Sequence, residues 1–380
     1  MAAVRPYGVY VHFPWCTFRC PYCDFAVTTG RPVPGARYAR AVLAELRARA
    51  PAFAGLACRT LYLGGGTPSL WEPEHLAAVV DAVRRLGLPP GAEVTLEANP
   101  ESVEPDRLEA WRAAGVNRLS LGVQSFDGEV LCQLGRRHSP QEAARALRLS
   151  AAALADVSVD LIYGARRSTV ATARLDARRA AGLGAAHVSA YALTLDPEVL
   201  AEDVPLARAV RSGRLTLPPE EEVLAQAGAI RAELSRAGFR RYEISNFARP
   251  GFASAHNRLY WEGESYLGVG VGAYGCLQRG EEAVRWGNHR QVGAWFAEVE
   301  AGRLPTAEED RLGPREVRNE RVMLGLRTAR GIAAAELRAP QQREVARLCR
   351  AGLASARRGR VRLTARGLDL HSDVAGRLFE

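Results

Sequence analysis

Three cysteines, Cys16, Cys20 and Cys23, fall within eight residues at the spacing C-x-x-x-C-x-x-C. Thiolates so placed on one loop can wrap a sulfur-rich metal centre. A [4Fe–4S] cluster takes four ligands, so a loop that supplies three leaves one iron open to something else. Two plainer chemistries compete. A single zinc would need a fourth ligand, for which His12 is at hand. A disulfide with a spare thiol suits a secreted chain, but nothing suggests secretion. No signal peptide is visible and the seven cysteines are an odd number, so a cytoplasmic location with reduced thiols is expected. Cys58, Cys132, Cys276 and Cys349 are scattered singly and read as core or incidental residues.

The loop needs a rigid mount. Residues 7–13 alternate and are rich in β-formers, which predicts a strand, and Pro14 ends it because proline cannot donate to a ladder. The pattern recurs. Strands are predicted at 59–63, 93–96, 118–123, 157–162 and 187–193, with helical patterns between them at 36–50 and from Pro73 and Pro105. Two helices split by residues 135–140 follow the fourth strand. Six strand–helix units make an α/β fold with a parallel sheet, a barrel or partial barrel. In such barrels chemistry sits at the C-terminal ends of the strands. The cysteine loop, Gly65, Gly66, Thr67, Glu97, Gln124, Asp160 and Tyr191 all fall near those ends, and the shared location favours one site. The run Gly64-Gly65-Gly66 lets backbone approach a ligand closely.

Beyond residue 200 the pattern changes. Glu220-Glu221-Glu222 opens a helix after two prolines, with acidic residues favourable at its N-terminus. Residues 239–247 read as a strand. The glycines of 266–274 permit close packing or a bound flat ligand. The tail, with short helices and a basic strand at 358–363, looks like a small winged-helix-type domain whose wing need not touch DNA. The expected division is 1–215 for the partial barrel, 216–310 for an α+β extension and 311–380 for the winged-helix-like domain.

Composition narrows the chemistry. The 380 residues contain no lysine, so all 51 basic residues are arginine, which excludes lysine Schiff bases and the usual pyridoxal phosphate attachment. The net charge of +9 raises nucleic acid as a partner, but the arginines are spread along helices and form no basic stripe, so none is expected. Arginine also suits carboxylates. No apolar run reaches the length of a transmembrane helix, which leaves only a peripheral membrane contact open.

The cysteine spacing, with Tyr22 before the third cysteine, resembles the signature of radical S-adenosylmethionine (SAM) proteins. In that superfamily the open iron binds the amino and carboxylate groups of SAM, and a glycine-rich segment like 64–69 lies against its amino end. The ordered set of segments at 10–16, 20–25, 64–69, 97–100, 122–126, 134–136, 160–164, 187–191, 256–261 and 323–327 resembles the heme chaperone HemW family, relatives of oxygen-independent coproporphyrinogen III oxidase. The resemblance implies a radical SAM partial (β/α)6 barrel with a HemN/HemW-type extension. It places a [4Fe–4S] cluster on Cys16, Cys20 and Cys23, and SAM among Tyr10, Tyr22, Gly65, Gly66, Thr67, Glu97, Gln124, Arg136, Asp160 and Ala192. It ties the segment around His256 to heme, for which imidazole is a competent axial ligand.

The chain departs from the family at Ala165-Arg166-Arg167-Ser168-Thr169, at Asp196-Pro197-Glu198-Val199 and at Tyr274, where the family has histidine. Two functions follow from the resemblance. One is a chaperone that binds heme and hands it to acceptor proteins. The other is radical decarboxylation of coproporphyrinogen III, begun by reductive cleavage of SAM. The oxidases carry a further cysteine two residues after the third cluster cysteine. Here that position is Phe25, which favours the chaperone and leaves catalysis as the alternative.

Overall fold

The strands form because their two faces want different surroundings. In β1 (Pro6–Phe13), Tyr7, Val9, Val11 and Phe13 are buried under helices, whereas Gly8, Tyr10 and His12 face the other way. β2 (Ala57–Gly65), β3 (Glu93–Ala98), β4 (Arg118–Gln124), β5 (Asp156–Tyr163) and β6 (His187–Ala192) repeat the scheme with Leu61, Leu63, Val94, Leu96, Leu119, Leu121, Val157, Val159 and Val188. This is period-two burial with an apolar outside and a polar inside. A computed structural model describes residues 4–196, 200 and 203–379.

Strands β1 to β6 lie side by side in chain order, each parallel to the next. Between them run α1 (Gly35–Arg49), α2 (Pro73–Arg85), α3 (Pro105–Ala113), α4 (Gly128–Gln133), α5 (Pro140–Ala153) and α6 (Val170–Gly182). Proline in the first turn starts α2, α3 and α5, and Ser139 caps α5 through a capping box with Glu142. α7 (Pro205–Arg211) and α8 (Glu220–Arg236) follow β6.

The parallel sheet is continued at both edges. β7 (Arg240–Arg241) and β8 (Asn246–Ala248) add antiparallel strands beyond β6. After α9 (Ala255–Trp261), β9 (Ser265–Gly270) pairs parallel with β1. β10 (Tyr274–Arg279), β11 (Glu282–Asn288) and, after α10 (Val292–Glu300), β12 (Thr306–Leu312) extend that edge as an antiparallel meander. The barrel is therefore partial, with β6 and β1 taken up by β8 and β9 rather than by each other.

One expectation is corrected. Residues 239–247 do not form one strand but two short ones around a turn. The Arg241 guanidinium donates to the Ile244 carbonyl at 2.9 and 2.7 Å, and Glu243 Oε1 accepts the Ser245 amide at 2.8 Å. These bonds fold the segment back on itself.

The tail holds α11 (Pro314–Arg327), α12 (Ala339–Arg350), α13 (Ala365–Asp369) and α14 (His371–Gly376), with a sheet in the order β13 (Ile332–Ala333), β15 (Arg360–Leu363), β14 (Ala354–Arg357). It has its own core, in which Leu326, Leu348, Val361 and Val374 are buried. The glycines at 266–274 serve close packing: a Cβ on Gly268 would lie 1.8 Å from the Tyr274 carbonyl.

Candidate functional site

A cavity of about 420 Å³ opens at the C-terminal ends of the barrel strands, and Cys16, Cys20 and Cys23 line its mouth. Their loop is pinned at its base, where the Cys16 amide donates to Thr28 O at 2.9 Å and the Thr28 amide to Pro14 O at 2.8 Å. Two donors point at sulfur: Thr67 Oγ1 lies 3.5 Å from Cys16 Sγ, and Arg136 Nη1 lies 3.5 Å from Cys20 Sγ. Burial pushes the Cys16 thiol up to about 11 and raises Cys23 as well. A bound cation reverses that preference, because metal-held sulfur is thiolate. Three thiols on one wall with donors aimed at sulfur fit a [4Fe–4S] cluster. The single-zinc alternative loses its fourth ligand: His12 Nε2 bonds Ala26 O at 2.9 Å and Nδ1 bonds the Tyr10 hydroxyl at 3.0 Å.

Behind the sulfurs the wall is polar. Glu97 Oε1 accepts from the Tyr62 hydroxyl at 2.8 Å, and its Oε2 accepts the Gly65 amide at 3.0 Å. Burial nevertheless lifts its carboxyl to about 7. Asp160 is raised by burial too, and accepts from Ser120 Oγ at 3.3 and 3.1 Å. Arg136 Nη2 donates to Asn99 Oδ1 at 2.6 Å and to Gly122 O at 3.0 Å, and Asn99 in turn donates to Thr67 Oγ1 at 3.2 Å. One network thus joins the cysteine loop, the glycine turn and the ends of β3 and β4. Arg118, fully buried below, gives the two carboxylates a fixed positive neighbour.

Backbone geometry is specialised at the same place. Gly65 has φ +112°, and a Cβ there would stand 2.7 Å from the His12 ring; at Gly66 a Cβ would stand 2.8 Å from Trp15 O. Gln124 adopts φ +66° without being glycine. Such outliers cost about 1–3 kcal/mol and cluster at ligand sites.

Residues 10–175 match the model of the Radical SAM superfamily. The heme chaperone HemW of Mycobacterium tuberculosis is 39% identical over 369 residues, covering 96% of this chain and 92% of that protein. The chain belongs to the heme chaperone HemW family. HemW of Escherichia coli is 38% identical, over 72% of this chain and 71% of that protein. The fold matches the E. coli coproporphyrinogen III oxidase HemN, a radical SAM enzyme, with a TM-score of 0.81 at 23% identity, over 99% of this chain and 90% of that one. The Radical SAM superfamily implies a [4Fe–4S] cluster and SAM.

Of the residues the HemW resemblance assigns to SAM, the fold brings Tyr22, Gly65, Gly66, Thr67, Glu97, Gln124, Arg136 and Asp160 to the cavity wall. Asp160 sits in the middle of β5 rather than near its end, and reaches the cavity from inside the barrel. Tyr10 lies deeper, 6.0 Å from the Tyr62 ring, and Ala192 is exposed at the end of β6; neither lines the cavity. His256 is not at an open face. Its ring is buried inside the barrel, Nδ1 bonded to Thr60 Oγ1 at 2.8 Å and Nε2 to the Tyr260 hydroxyl at 2.9 Å, so both nitrogens are engaged.

Sequence reasoning left out Tyr62, Asn99, Arg118, Ser120, Ser189 and Asn257, all on the cavity wall. A signal existed: Arg118, Ser120, Gly122 and Gln124 alternate along β4, a polar inner face in period two.

The departures from the HemW pattern that lie among the described residues fall away from the lining. Ala165 is buried beside Val130 and Leu134, and Thr169 caps α6. Tyr274 is exposed and donates to Glu308. Pro197, Glu198 and Val199 lie outside the described residues.

Proposed function

We propose that this chain is a heme chaperone, one that binds heme and passes it to acceptor proteins while carrying a [4Fe–4S] cluster on Cys16, Cys20 and Cys23 together with SAM. Membership of the HemW family supports the reading, and Phe25 separates it from the oxidase alternative. Phe25 is 63% exposed at the rim of the cavity, in the place where the oxidases carry a further cysteine. A phenyl ring can neither ligate metal nor donate a proton there.

The cluster, once bound, would supply an open iron as the anchor for SAM. The chain's own groups do the rest. Arg136 presents a planar, permanently charged guanidinium suited to the SAM carboxylate. Glu97 and Asp160 supply acceptors for its amine or ribose hydroxyls, and the Gly65–Gly66 backbone leaves room for close approach.

The test is one anaerobic preparation assayed twice. Heme should bind stoichiometrically, seen as a Soret band, and coproporphyrinogen III should remain unconverted with reductant and SAM present. Conversion to protoporphyrinogen IX, with 5′-deoxyadenosine formed in proportion, would replace the chaperone with the enzyme.

A further inference from the structure

A second cavity, of about 720 Å³, lies at the opposite end of the barrel. Arg5, at the start of β1, is on its wall, whereas Cys16 follows the end of that strand, so β1 separates the two chambers by roughly 25 Å at about 3.3 Å per residue. The volume is that of a small-molecule site, typically about 300–1,000 Å³. One wall is α9, the other the turn after α11 and the strand β15 of the tail domain.

α9 is divided between the chambers. Glu93 holds its first turn, accepting from Ser254 Oγ at 3.1 Å and from the amides of Ala255 and His256 at 2.7 and 3.0 Å. His256 and Tyr260, one turn apart, point into the barrel, and Asn257 reaches the cavity beside the cysteine loop. Arg258 and Trp261 line the lower cleft.

The charge of the cleft is lopsided. Arg5 is paired with Glu264 at 3.0 Å, and Arg330 with Glu262 at 3.4 Å. Arg258 has no partner among the described residues, and Arg321 and Arg360 donate only to backbone carbonyls. The remaining carboxylate of the wall, Glu336, accepts the Ala333 amide. Three guanidinium groups of the lining therefore have no carboxylate partner among the described residues, and only that of Arg258 is also without a backbone one. The Trp261 indole nitrogen is buried beside them with no acceptor. Among the described residues the lining contains no histidine, cysteine or methionine. Its one tyrosine, Tyr242, shares its hydroxyl with His187 Nε2 at 2.9 Å, and burial pushes it above the ordinary phenol range, so no phenolate is offered.

We propose that this cleft is the porphyrin site of the chain. It holds a planar dicarboxylate by its two carboxylates through Arg258, Arg321 and Arg360, and gives no side-chain ligand to the iron. Guanidinium forks match carboxylates bidentately, which suits an Arg258 without a protein partner beside two arginines that have no carboxylate of their own. His256 belongs instead to the wall that α9 makes for the barrel. The proposal rests on the reading of the chain as a heme-binding protein.

The test uses the full chain with its cluster. It is titrated with heme, with metal-free protoporphyrin IX and with the dimethyl ester of protoporphyrin IX. Heme and the metal-free acid should bind alike and the ester far more weakly. Arg258→Glu and Arg321→Glu should each weaken both acids by roughly tenfold or more, as expected for losing a charge-assisted hydrogen bond, with iron and sulfide content unchanged. Heme binding that survives both substitutions, or that requires the iron, would overturn the cleft assignment and leave the chaperone reading standing. If neither acid binds the wild-type chain, the chaperone reading falls and the cleft assignment with it.

Discussion

The Tyr62 hydroxyl donates to Glu97 Oε1 at 2.8 Å, while the ring of Tyr62 lies 5.1 Å from the ring of His256. The carboxylate on the cavity wall and the imidazole of α9 are thus two ends of one buried stack. A change at either end reaches the other through a single side chain.

Glu97 should give the protein a measurable pH signature. Its carboxyl titrates at about 7 in the fold against an ordinary 4.5, chiefly because burial disfavours the charge. The folded state then holds the proton longer than the unfolded chain, so this contribution to stability is complete below 4.5 and is lost as pH rises through about 7. Glu97→Gln removes the titration. Its thermal midpoint should vary less than that of the wild type across this window, and parallel profiles would refute the burial of charge.

His256 works in the opposite sense. Burial lowers its imidazole to about 3 from 6.5, so the neutral ring is favoured and stability falls as pH drops from 6.5 towards 3. His256→Ala strands the Thr60 and Tyr260 hydroxyls and should cost about 2–4 kcal/mol. Denaturant unfolding of the variant checks this, and a change within error of zero would contradict the paired geometry.

Replacing Cys16, Cys20 and Cys23 together with alanine should abolish the roughly four irons and four sulfides expected per chain after anaerobic reconstitution. Retained iron would move the cluster elsewhere. Arg136→Met is the finer probe. It removes the donor to Cys20 Sγ and leaves Asn99 Oδ1 and Gly122 O without their guanidinium. SAM should then perturb the electron paramagnetic resonance signal of the reduced cluster only at higher concentration.

Gln124→Gly separates stability from binding. Glycine takes φ +66° without the penalty that glutamine carries, so the variant should gain about 0.5–1 kcal/mol. It also loses a side chain from the cavity wall, and SAM binding should weaken. A variant that is both less stable and unchanged in binding would show that the strain serves neither.

The parallel core was legible because period-two alternation reports burial directly. Proline and capping residues marked the starts of α2, α3 and α5, and the cysteine spacing marked the loop. Less was visible where structure depends on partners far away in sequence. Nothing local says that Arg241 will close a turn on Ile244, or that His256, polar and on a helix of seven residues, faces inward. The lower cleft was hidden altogether, since Arg5, Arg258, Arg321 and Arg360 are far apart in sequence and meet only in the folded chain.

Because α9 belongs to both chambers, their occupants are subject to thermodynamic reciprocity. A molecule in the cleft that prefers one setting of Arg258 and Trp261 also selects a setting of His256, Tyr260 and Asn257. Whatever factor this contributes to affinity in the upper cavity must be returned, equal in size, to affinity below. Glu93 anchors one end of the helix, and at the other Tyr260 packs edge-on against Tyr266 at 4.7 Å while Arg327 stacks on Trp261 at 4.3 Å, so both faces are held by one short rigid piece. A seven-residue segment would then serve as a lever through which loading at one end of the barrel is sensed at the other.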